Sequence, residues 1–367
     1  MKSFFPDLCE YLSCIYNILA AVDSGDFTFI QKQKGIMKVK EFEAFVVEEK
    51  EGRFVGETGK RKLDDLRSND LLVKVHYSSL NYKDALSATG NKGVTKEYPH
   101  TPGIDAVGTV VSDISGKFRE NETVIVTGFD LGMNTDGGFG EYIRVPAEWA
   151  VKLPESMAMK EAMIFGTAGL TAGMSVLRLS EQVKPEDGKV AVSGASGGVG
   201  TLSIATLSKM GYSVSAISGK EQERGFLLEL GAEEVVPREE YEAENNRPLL
   251  KGEFAGAVDT VGGTILANLV KSTGPMGAVT CCGNVASPNL DLTVYPFILR
   301  GVSLIGIDSQ NCPMGQREIV WEKLGGEWKP ENLQELCREI SLNELPESIE
   351  RMLAGKLKGR TVVNLDA

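Results

Sequence analysis

The pattern of apolar and polar positions changes character once along the chain. Between residue 37 and about residue 160, short apolar runs with alternating polar positions recur, at residues 42–47, 72–77, 106–111 and 122–126. Alternation with a period of two predicts half-buried strands. Because these runs are short and separated by turns that contain Gly and Pro, they predict a compact β-barrel and not a series of strand–helix–strand units.

A different pattern begins near residue 160. Residues 163–179 have helical spacing, and from residue 190 onwards strand-like and helix-like runs alternate. The predicted strands are residues 190–192, 212–217, 255–258 and 277–282, and the predicted helices are residues 200–210, 221–230 and 264–272. This alternation is typical of a doubly wound parallel sheet with helices on both faces.

After Ile305 the pattern departs from that sheet. Two helical stretches and a final strand at residues 360–365 complete the sequence. A β-rich domain interrupted by an α/β domain explains this order. We therefore predict a β-rich domain at residues 37–160, an α/β domain at residues 161–307, and a return to the first domain at residues 308–367.

The segment of residues 1–36 differs from the rest of the chain. Asp7 and Glu10 interrupt its apolar stretch, which argues against an export signal. One interpretation is a short amphipathic helix. Another is that translation starts at Met37, because Lys34-Gly35 requires a purine-rich codon pair that resembles a bacterial ribosome-binding sequence. On that hypothesis, residues 1–36 are an extra segment.

Composition and charge exclude several classes of protein. The chain has 39 basic and 51 acidic residues and a net charge of −12, so neither a nucleic acid nor an anionic membrane is an expected partner. No uninterrupted apolar run reaches the length of a membrane span. The six cysteines include no C-x-x-C pair, and a reducing, cytoplasmic compartment is the simplest expectation.

The strongest motif joins the first predicted strand of the α/β domain to the helix that follows. Residues 190–200 read V-A-V-S-G-A-S-G-G-V-G. Glycines in such a turn let the backbone approach a pyrophosphate, whose charge lies at the helix N-terminus. We predict a dinucleotide site with its tight turn at Gly197 to Gly200, in preference to an ordinary glycine-rich turn. The candidate cofactor-binding residues are Ser196, Gly197, Gly198, Val199 and Gly200.

The end of the next strand indicates which coenzyme is preferred. An acidic residue at this position binds the ribose 2′-hydroxyl of NAD, whereas this chain has Ser218 and Lys220. A hydroxyl and a cation suit a 2′-phosphate, and Arg224 follows one helical turn later, although Glu221 and Glu223 weaken the pattern. We predict NADPH as the cofactor, bound by Ser218 and Lys220; the alternative is that Lys220 only begins a helix.

The sequence indicates no metal site. His76 and His100 are the only histidines, and neither has a second ligand residue at zinc spacing. Metal-assisted alcohol oxidation and a Ser-His-Asp triad are therefore both poorly supported. We expect a hydride transfer that depends on binding, orientation and polarisation.

Several runs together resemble a known family. They are residues 79–84 (S-L-N-Y-K-D), 102–108 (P-G-I-D-A-V-G), 137–142 (G-G-F-G-E-Y), 166–172 (G-T-A-G-L-T-A), 294–302 (V-Y-P-F-I-L-R-G-V) and 306–309 (G-I-D-S). From residue 37 onwards the chain resembles the zinc-independent quinone-oxidoreductase branch of the medium-chain dehydrogenase/reductases. Within that branch it is similar to the bacterial acrylyl-CoA reductase group of the YhdH/YhfP type. Zinc-dependent relatives have His-Glu where this chain has Ile104-Asp105.

The resemblance implies both a fold and a reaction. The fold is a GroES-like β-barrel catalytic domain into which a Rossmann domain is inserted. The reaction is NADPH-dependent reduction of an activated C=C bond, with acrylyl-CoA, reduced to propanoyl-CoA, as the leading substrate. Two alternatives stay open: a reductase of quinones or general enones, and an NADP-binding sensor or scaffold without turnover. Relatives also imply a homodimer.

Catalytic candidates follow from this implied reaction. Hydride addition at the β-carbon leaves an enolate, which needs hydrogen-bond donors and then a proton at the α-carbon. Tyr82 is the candidate proton donor or polarising group, and Asn81 is the candidate for orienting the substrate or the nicotinamide. The alternative is that Tyr82 only packs beside the site and water gives the proton.

Further cofactor-binding candidates lie in the later motifs. Thr167 and Thr171 are expected at the nicotinamide region, with helix capping by Thr167 as the alternative. Cys282 and Gly283 follow a sheet strand, and ligands bind at the carboxyl ends of such strands. The alternative for Cys282 is a small buried residue without reactivity.

The segment after the last predicted sheet strand supplies the remaining candidates. Ile307, Asp308 and Ser309 are expected to cover the nicotinamide face. Arg300 is a candidate for binding a phosphate of the cofactor or of CoA, and a structural ion pair is the alternative.

Overall fold

The structure, a computed structural model, describes residues 41–367. The expectations for residues 1–36 and for a start at Met37 lie outside the described residues. Within the described part, strands form a two-stranded hairpin, a mostly antiparallel sheet of seven strands, and a parallel sheet of six strands.

The antiparallel sheet is built from both ends of the described chain. Its strand order is β14-β15-β3-β4-β5-β7, and β6 pairs with β3. The hairpin bonds the loop that precedes β4, through contacts such as that from Val47 N–H to the His100 carbonyl at 2.8 Å. The bounds of these strands are β1 (Glu41–Lys50), β2 (Arg53–Lys62), β3 (Leu71–Ser79), β4 (Asp105–Asp113), β5 (Thr123–Thr127), β6 (Tyr142–Val145), β7 (Ala150–Lys152), β14 (Cys337–Ile340) and β15 (Arg360–Asn364).

The parallel sheet confirms the predicted doubly wound architecture. Its strand order is β10-β9-β8-β11-β12-β13, and every neighbouring pair is parallel. This order reverses beside β8, which makes the carboxyl end of β8 the point where such sheets bind ligands. The bounds are β8 (Val190–Ser193), β9 (Val214–Ser218), β10 (Glu234–Pro237), β11 (Phe254–Asp259), β12 (Thr273–Cys281) and β13 (Ser303–Gly306).

Helices cover both sheets and connect them. The α-helices are α1 (Tyr82–Ala88), α2 (Met159–Ser180), α3 (Gly198–Lys209), α4 (Arg224–Glu229), α5 (Glu239–Glu242), α6 (Gly263–Ser272), α7 (Tyr295–Arg300), α8 (Met314–Gly325) and α9 (Leu345–Leu353). Short 3₁₀ turns lie at Leu63–Asp65, Ala147–Trp149, Pro185–Asp187, Glu221–Glu223, Leu333–Leu336 and Leu342–Glu344.

The helix α2 bridges the two sheets and is broken near its start. Gly166 interrupts it with φ of 52° and ψ of −153°, a conformation that is essentially restricted to glycine. By length and apolar composition alone, α2 resembles a membrane span. However, 83% of its most apolar window is buried inside the fold, and a buried core helix has the same composition.

Local sequence patterns predicted most of these elements but not all of them. The strand β2 escaped prediction because its residues are largely charged and exposed. The predicted helix at residues 221–230 is divided into a 3₁₀ turn and α4, and β12 begins at Thr273, earlier than the predicted residue 277. The final strand β15 pairs antiparallel with β3, which brings the end of the chain back to the first sheet.

Candidate active site

The turn between β8 and α3 is shaped by its glycines. The N–H of Gly197 donates to the carbonyl of Gly194 at 2.9 Å, and Gly194 has φ of 59°, which favours glycine. A Cβ on Gly200 would collide with the same carbonyl. The prediction of a tight turn at Gly197 to Gly200 is wrong in this detail. The turn runs from Gly194 to Gly197, because the left-handed residue is Gly194.

The first turn of α3 has backbone donors without protein partners in the described part of the chain. Among residues 41–367, the N–H groups of Gly198, Val199 and Gly200 have no hydrogen-bond acceptor, as is usual at the start of a helix. Gly197 is exposed, and Gly198 and Val199 are half-buried. A Cβ at Gly198 would lie 3.0 Å from Nη1 of Arg360, so a larger side chain would fill the space. A pyrophosphate fits this cradle.

The end of β9 lies beside the cradle and carries the predicted Ser218 and Lys220. The Lys220 backbone N–H donates to Ser218 Oγ at 3.1 Å. Its ammonium group donates to the carbonyl of Leu357 at 2.9 Å. The C-terminal segment before β15 thus contacts the end of β9. It also contacts the glycine turn, because the N–H of Gly359 donates to the carbonyl of Ser196 at 3.2 Å.

Two further cations at this edge were not predicted from the sequence. Arg238 follows β10, and its guanidinium lies against Gly219, where a Cβ would be 3.0 Å from Cζ. Lys358 forms an ion pair with Glu223 at 3.2 Å. Arg238 had a usable signal, since it is the first residue after a neighbouring strand. Lys358 had none, because it comes from a distant part of the sequence.

A buried polar network lies beside the glycine turn, and its member Arg360 is next to Gly198. Its centre is Asp105, which accepts hydrogen bonds from Ser79 Oγ at 2.5 Å, Asn81 Nδ2 at 2.7 Å, and the backbone N–H and hydroxyl of Thr167 at 2.9 and 2.6 Å. Arg360, also buried, donates to Ser79 Oγ at 2.8 Å and to Asn81 Oδ1 at 3.1 Å. The network ties β3, β4, α2 and β15 together.

A second buried carboxylate fixes the loops around this network. Asp84 accepts the backbone N–H groups of Asn81 at 2.8 Å, Gly103 at 3.1 Å and Ile104 at 2.8 Å. Burial, followed by the nearby charge of Asp105, raises the pKa of Asp84 to about 7. Asp84 therefore holds the start of α1 against the loop that precedes β4.

The two predicted catalytic residues differ in placement. Asn81 is buried, and its amide bonds Asp105, Arg360 and the Ser79 carbonyl, so it positions the network. Tyr82 begins α1, and 49% of its surface is exposed. The geometry gives Asn81 three protein partners, and its contact with a ligand stays a prediction.

The predicted nicotinamide region does come together. Thr171 donates its hydroxyl to Ser309 Oγ at 2.7 Å and lies one helical turn after Thr167. The hydroxyl of Thr167 binds Asp105 and does not cap the helix. Ile307 continues β13 by donating its N–H to the carbonyl of Cys281 at 3.0 Å. These contacts place the segment after β13 against α2.

Asp308 and Cys282 lie at the same edge of the parallel sheet. The carboxylate of Asp308 accepts hydrogen bonds from Asn311 at 3.1 and 2.9 Å, which lower its pKa. Burial raises the pKa of the Cys282 thiol to about 12, so this residue is not a nucleophile at neutral pH. A Cβ on Gly283 would collide with the backbone of Thr260. Close packing against Thr260 therefore explains why this position is a glycine.

The prediction for Arg300 is wrong. Its guanidinium donates to the carbonyls of Leu250, Lys271 and Thr273, at 2.5 to 3.0 Å. Thr273 is the first residue of β12, so Arg300 lies at the amino edge of the sheet, opposite the cofactor edge. It closes the end of α6, away from the edge where the cofactor is predicted. The ion pair named as the alternative is also absent, because all its partners within the described chain are carbonyl oxygens.

Family models and relatives agree with this arrangement. Residues 67–155 match the alcohol dehydrogenase GroES-like domain, and residues 198–323 match the zinc-binding dehydrogenase domain. Acrylyl-CoA reductase AcuI of Ruegeria pomeroyi is 36% identical over 89% of this chain and 100% of its own length. YhfP of Bacillus subtilis, named provisionally as a quinone oxidoreductase, is 44% identical over 82% of this chain and 92% of its own.

Solved structures extend the likeness to three dimensions. The Salmonella enterica yhdH oxidoreductase in complex with NADP has a TM-score of 0.86 and 40% identity, over 88% of this chain and 99% of that one. Bacillus subtilis yhfP with NAD bound gives 0.86 and 42% over the same shares. The chain belongs to the medium-chain dehydrogenase/reductases. Within them it falls in the zinc-independent quinone-oxidoreductase and acrylyl-CoA reductase subgroup, and its antiparallel sheet is the GroES-like domain of that family.

The zinc site implied by one family description does not fit this member of the family. Among the described residues, no group of three or more His, Cys, Asp or Glu side chains is placed to hold a metal. The position that carries Glu in zinc-dependent relatives is Asp105 here, and its oxygens accept hydrogen bonds from Ser79, Asn81 and Thr167. The described side chains around Asp105 are therefore not arranged as a zinc site.

Proposed function

We propose that this chain is an NADPH-dependent reductase of activated C=C bonds, with acrylyl-CoA, reduced to propanoyl-CoA, as the leading substrate. The proposal is supported by the relative named acrylyl-CoA reductase, which aligns over its whole length at 36% identity. Family membership makes oxidoreductase chemistry the expected activity.

The observation that carries the proposal is that two unlike sets of groups lie side by side. In one set, the first turn of α3 presents backbone donors, and Ser218, Lys220 and Arg238 lie close by. The other set is the buried network around Asp105. The two sets meet where Arg360 lies beside Gly198. Such an arrangement suits a dinucleotide along one set and a reducible substrate at the other.

NADPH is favoured over NADH by the charges at the end of β9. The hydroxyl of Ser218 and nearby cations lie there. The last residue of β9 is Ser218 and not an acidic residue. The relatives differ, since yhdH was crystallised with NADP and yhfP with NAD. The clustering of Lys220, Arg238 and Lys358 supports binding of a 2′-phosphate, although Glu223 partly neutralises Lys358.

The residues of the predicted nicotinamide region and of the network around Asp105 would bind and orient the reactants. When bound, NADPH supplies a hydride to the β-carbon of the unsaturated thioester. Thr171 and Ser309 form one polar side of the nicotinamide region. The network of Asp105, Asn81 and Arg360 keeps that side rigid, because each of its members makes at least two charge-assisted or neutral hydrogen bonds.

A substrate panel tests the proposed function. The purified chain is mixed with NADPH or NADH and with acrylyl-CoA, crotonyl-CoA, a simple enone or a benzoquinone, and coenzyme absorbance is followed. We expect the fastest turnover with NADPH and acrylyl-CoA. Higher turnover on the quinone would assign the quinone-reductase alternative. Binding of NADPH without oxidation across the panel would assign the sensor alternative, and both results would overturn the proposal.

We also propose that the protein is a homodimer that forms through the parallel sheet. The strand β13 is the edge of that sheet, and nearby apolar side chains are exposed, including Val294 at 62%, Ile298 at 68% and Leu299 at 63%. An open strand edge beside an exposed apolar patch is typical of an association surface. A second copy can pair there with two-fold symmetry.

A cytoplasmic location is proposed on the state of the cysteines. Within residues 41–367, Cys281, Cys282, Cys312 and Cys337 are all free thiols. Free cysteines agree with a reducing compartment. Fractionation of cells that produce the protein at its native level tests this, and recovery outside the cytoplasm would contradict it.

A further inference from the structure

One lysine near the predicted nicotinamide region has no role in the arrangement described so far. Lys83 is the second residue of α1, next to the candidate Tyr82. Consecutive residues on a helix project about 100° apart, so the two side chains diverge. Tyr82 is half exposed, whereas Lys83 is partly buried and crosses to the segment after β13.

The ammonium group of Lys83 bonds a residue of the segment after β13. It donates to Oε1 of Gln310 at 2.5 Å. The carbonyl of Gln310 in turn accepts hydrogen bonds from Phe129 N–H at 2.9 Å and from the buried Arg317 at 3.2 Å. Two hydrogen bonds therefore hold the backbone of Gln310, and the side chain of the same residue accepts the hydrogen bond from Lys83.

The location of Gln310 places Lys83 beside the expected reaction centre. Gln310 directly follows Ser309, which bonds Thr171 on α2. Lys83 and Thr171 therefore approach the same short segment from two directions. That segment continues β13 at the carboxyl edge of the parallel sheet, where the nicotinamide is expected.

The electrostatic surroundings of Lys83 favour loss of its proton. Burial lowers its pKa, and the nearby carboxylates Asp84 and Asp308 oppose this to a smaller extent. Asp84 belongs to α1 itself, and Asp308 belongs to the segment that packs against it. A lysine with a lowered pKa is a better general acid near neutral pH than an ordinary lysine.

We propose that Lys83, and not Tyr82, donates the proton to the α-carbon of the substrate. This inference rests on the proposed function. As hydride arrives at the β-carbon, the π electrons of the C=C bond move towards the α-carbon and the thioester oxygen. One N–H bond of the ammonium group then breaks as the α-carbon gains its new C–H bond. The neutral amine recovers a proton from solvent water, so atoms and charge balance.

Three variants test the assignment with acrylyl-CoA and NADPH. Lys83→Met is expected to lower kcat about 100-fold or more, with little change in KM for NADPH, and to remove the alkaline limb of the pH–rate profile. Lys83→Arg keeps the charge, but its pKa above about 12 prevents proton donation, so it should not restore kcat. Lys209→Met is the control; Lys209 is partly exposed on α3, where it pairs with Glu331, and normal activity is expected.

A readout without turnover completes the test. In NMR of the coenzyme-free protein with isotope-labelled lysine side chains, the resonance that is lost in Lys83→Arg should titrate below the ordinary lysine value of 10.5. Full activity in Lys83→Arg would assign only a charge role and overturn the proposal. An unchanged alkaline limb in Lys83→Met, or loss of that limb in Tyr82→Phe, would also overturn it. If the unaltered protein reduces no enoyl thioester, the proposed function has failed instead.

Discussion

Gly166 is a position at which a single methyl group would disturb the buried network around Asp105. The residue breaks α2 with φ of 52°. In Gly166→Ala, the new Cβ would lie 2.6 Å from Ser79 Oγ and 2.9 Å from Arg360 Nη2, and still closer to Asp105 Oδ2. The backbone strain costs about 1–3 kcal/mol, and crowding in a packed interior costs about 1–3 kcal/mol more. We therefore expect a loss of about 2–6 kcal/mol in the free energy of unfolding.

Urea unfolding, followed by circular dichroism, measures this loss against a matched control. Gly315 lies in α8, has no positive φ, and has no atom within 4 Å of the place that a Cβ would occupy. Gly315→Ala should be neutral or stabilise by about 0.5–1 kcal/mol, because alanine is the better helix former. If the free energy of unfolding of Gly166→Ala lies within about 1 kcal/mol of that of the control, the strained kink and the crowded network would not be features of the folded protein.

The remaining predictions concern coenzyme choice, a buried carboxylate and the oligomeric state. Calorimetric titrations should show that Lys220→Ala and Arg238→Ala each weaken NADPH binding about tenfold or more, because a charged hydrogen bond contributes about 1.5–3 kcal/mol. The affinity for NADH should change little in either variant. Equal losses of affinity for both coenzymes would contradict this prediction. The pKa of Asp84 is raised from 3.8 to about 7, so this group disfavours folding as the pH rises through that interval. In urea unfolding, the stability of Asp84→Asn relative to the unaltered protein should rise across the same interval, and a constant difference would refute the shift. Light scattering should show that Ile298→Arg is monomeric while Ile319→Arg, at an exposed residue on α8, stays dimeric.

Local patterns were sufficient to predict the architecture of the coenzyme-binding domain. The strands β8, β9 and β11 and the helices α3 and α6 are short, regular and separated by clear turns, so each could be identified from its own residues. The glycine turn before α3 carried the same kind of local information. Its detailed geometry did not, because Gly194 has a positive φ and packs against Thr260, which follows the neighbouring strand β11.

The centre of the candidate site could not be predicted by local reasoning. Asp105 and Arg360 are far apart in the sequence, and they meet only because β15 pairs with β3. Arg360 looks like an ordinary residue of a strand, and Asp105 is notable only for standing where zinc-dependent relatives have Glu. Arg300 failed for a related reason: its charge made it a candidate for binding a phosphate, but the sequence does not indicate which edge of the sheet it reaches.

The helical pattern around Gly166 concealed the kink of α2. Residues 163–179 have continuous apolar spacing, and the break is imposed by Asp105, which binds the backbone of Thr167 from the other domain. The sequence likewise did not distinguish Tyr82 from Lys83, since both begin α1. Only the position of Gln310 in the folded chain shows which of the two faces the segment after β13.

The most direct test of the account is a calorimetric titration of NADPH into the unaltered protein and into Gly198→Val. The side chain of valine would occupy the space between the first turn of α3 and Arg360. We expect saturable binding of one NADPH per chain to the unaltered protein and to the Gly315→Ala control, and loss of binding in Gly198→Val. Absence of binding by the unaltered protein, or unchanged affinity in Gly198→Val, would contradict the location of the coenzyme at the glycine turn.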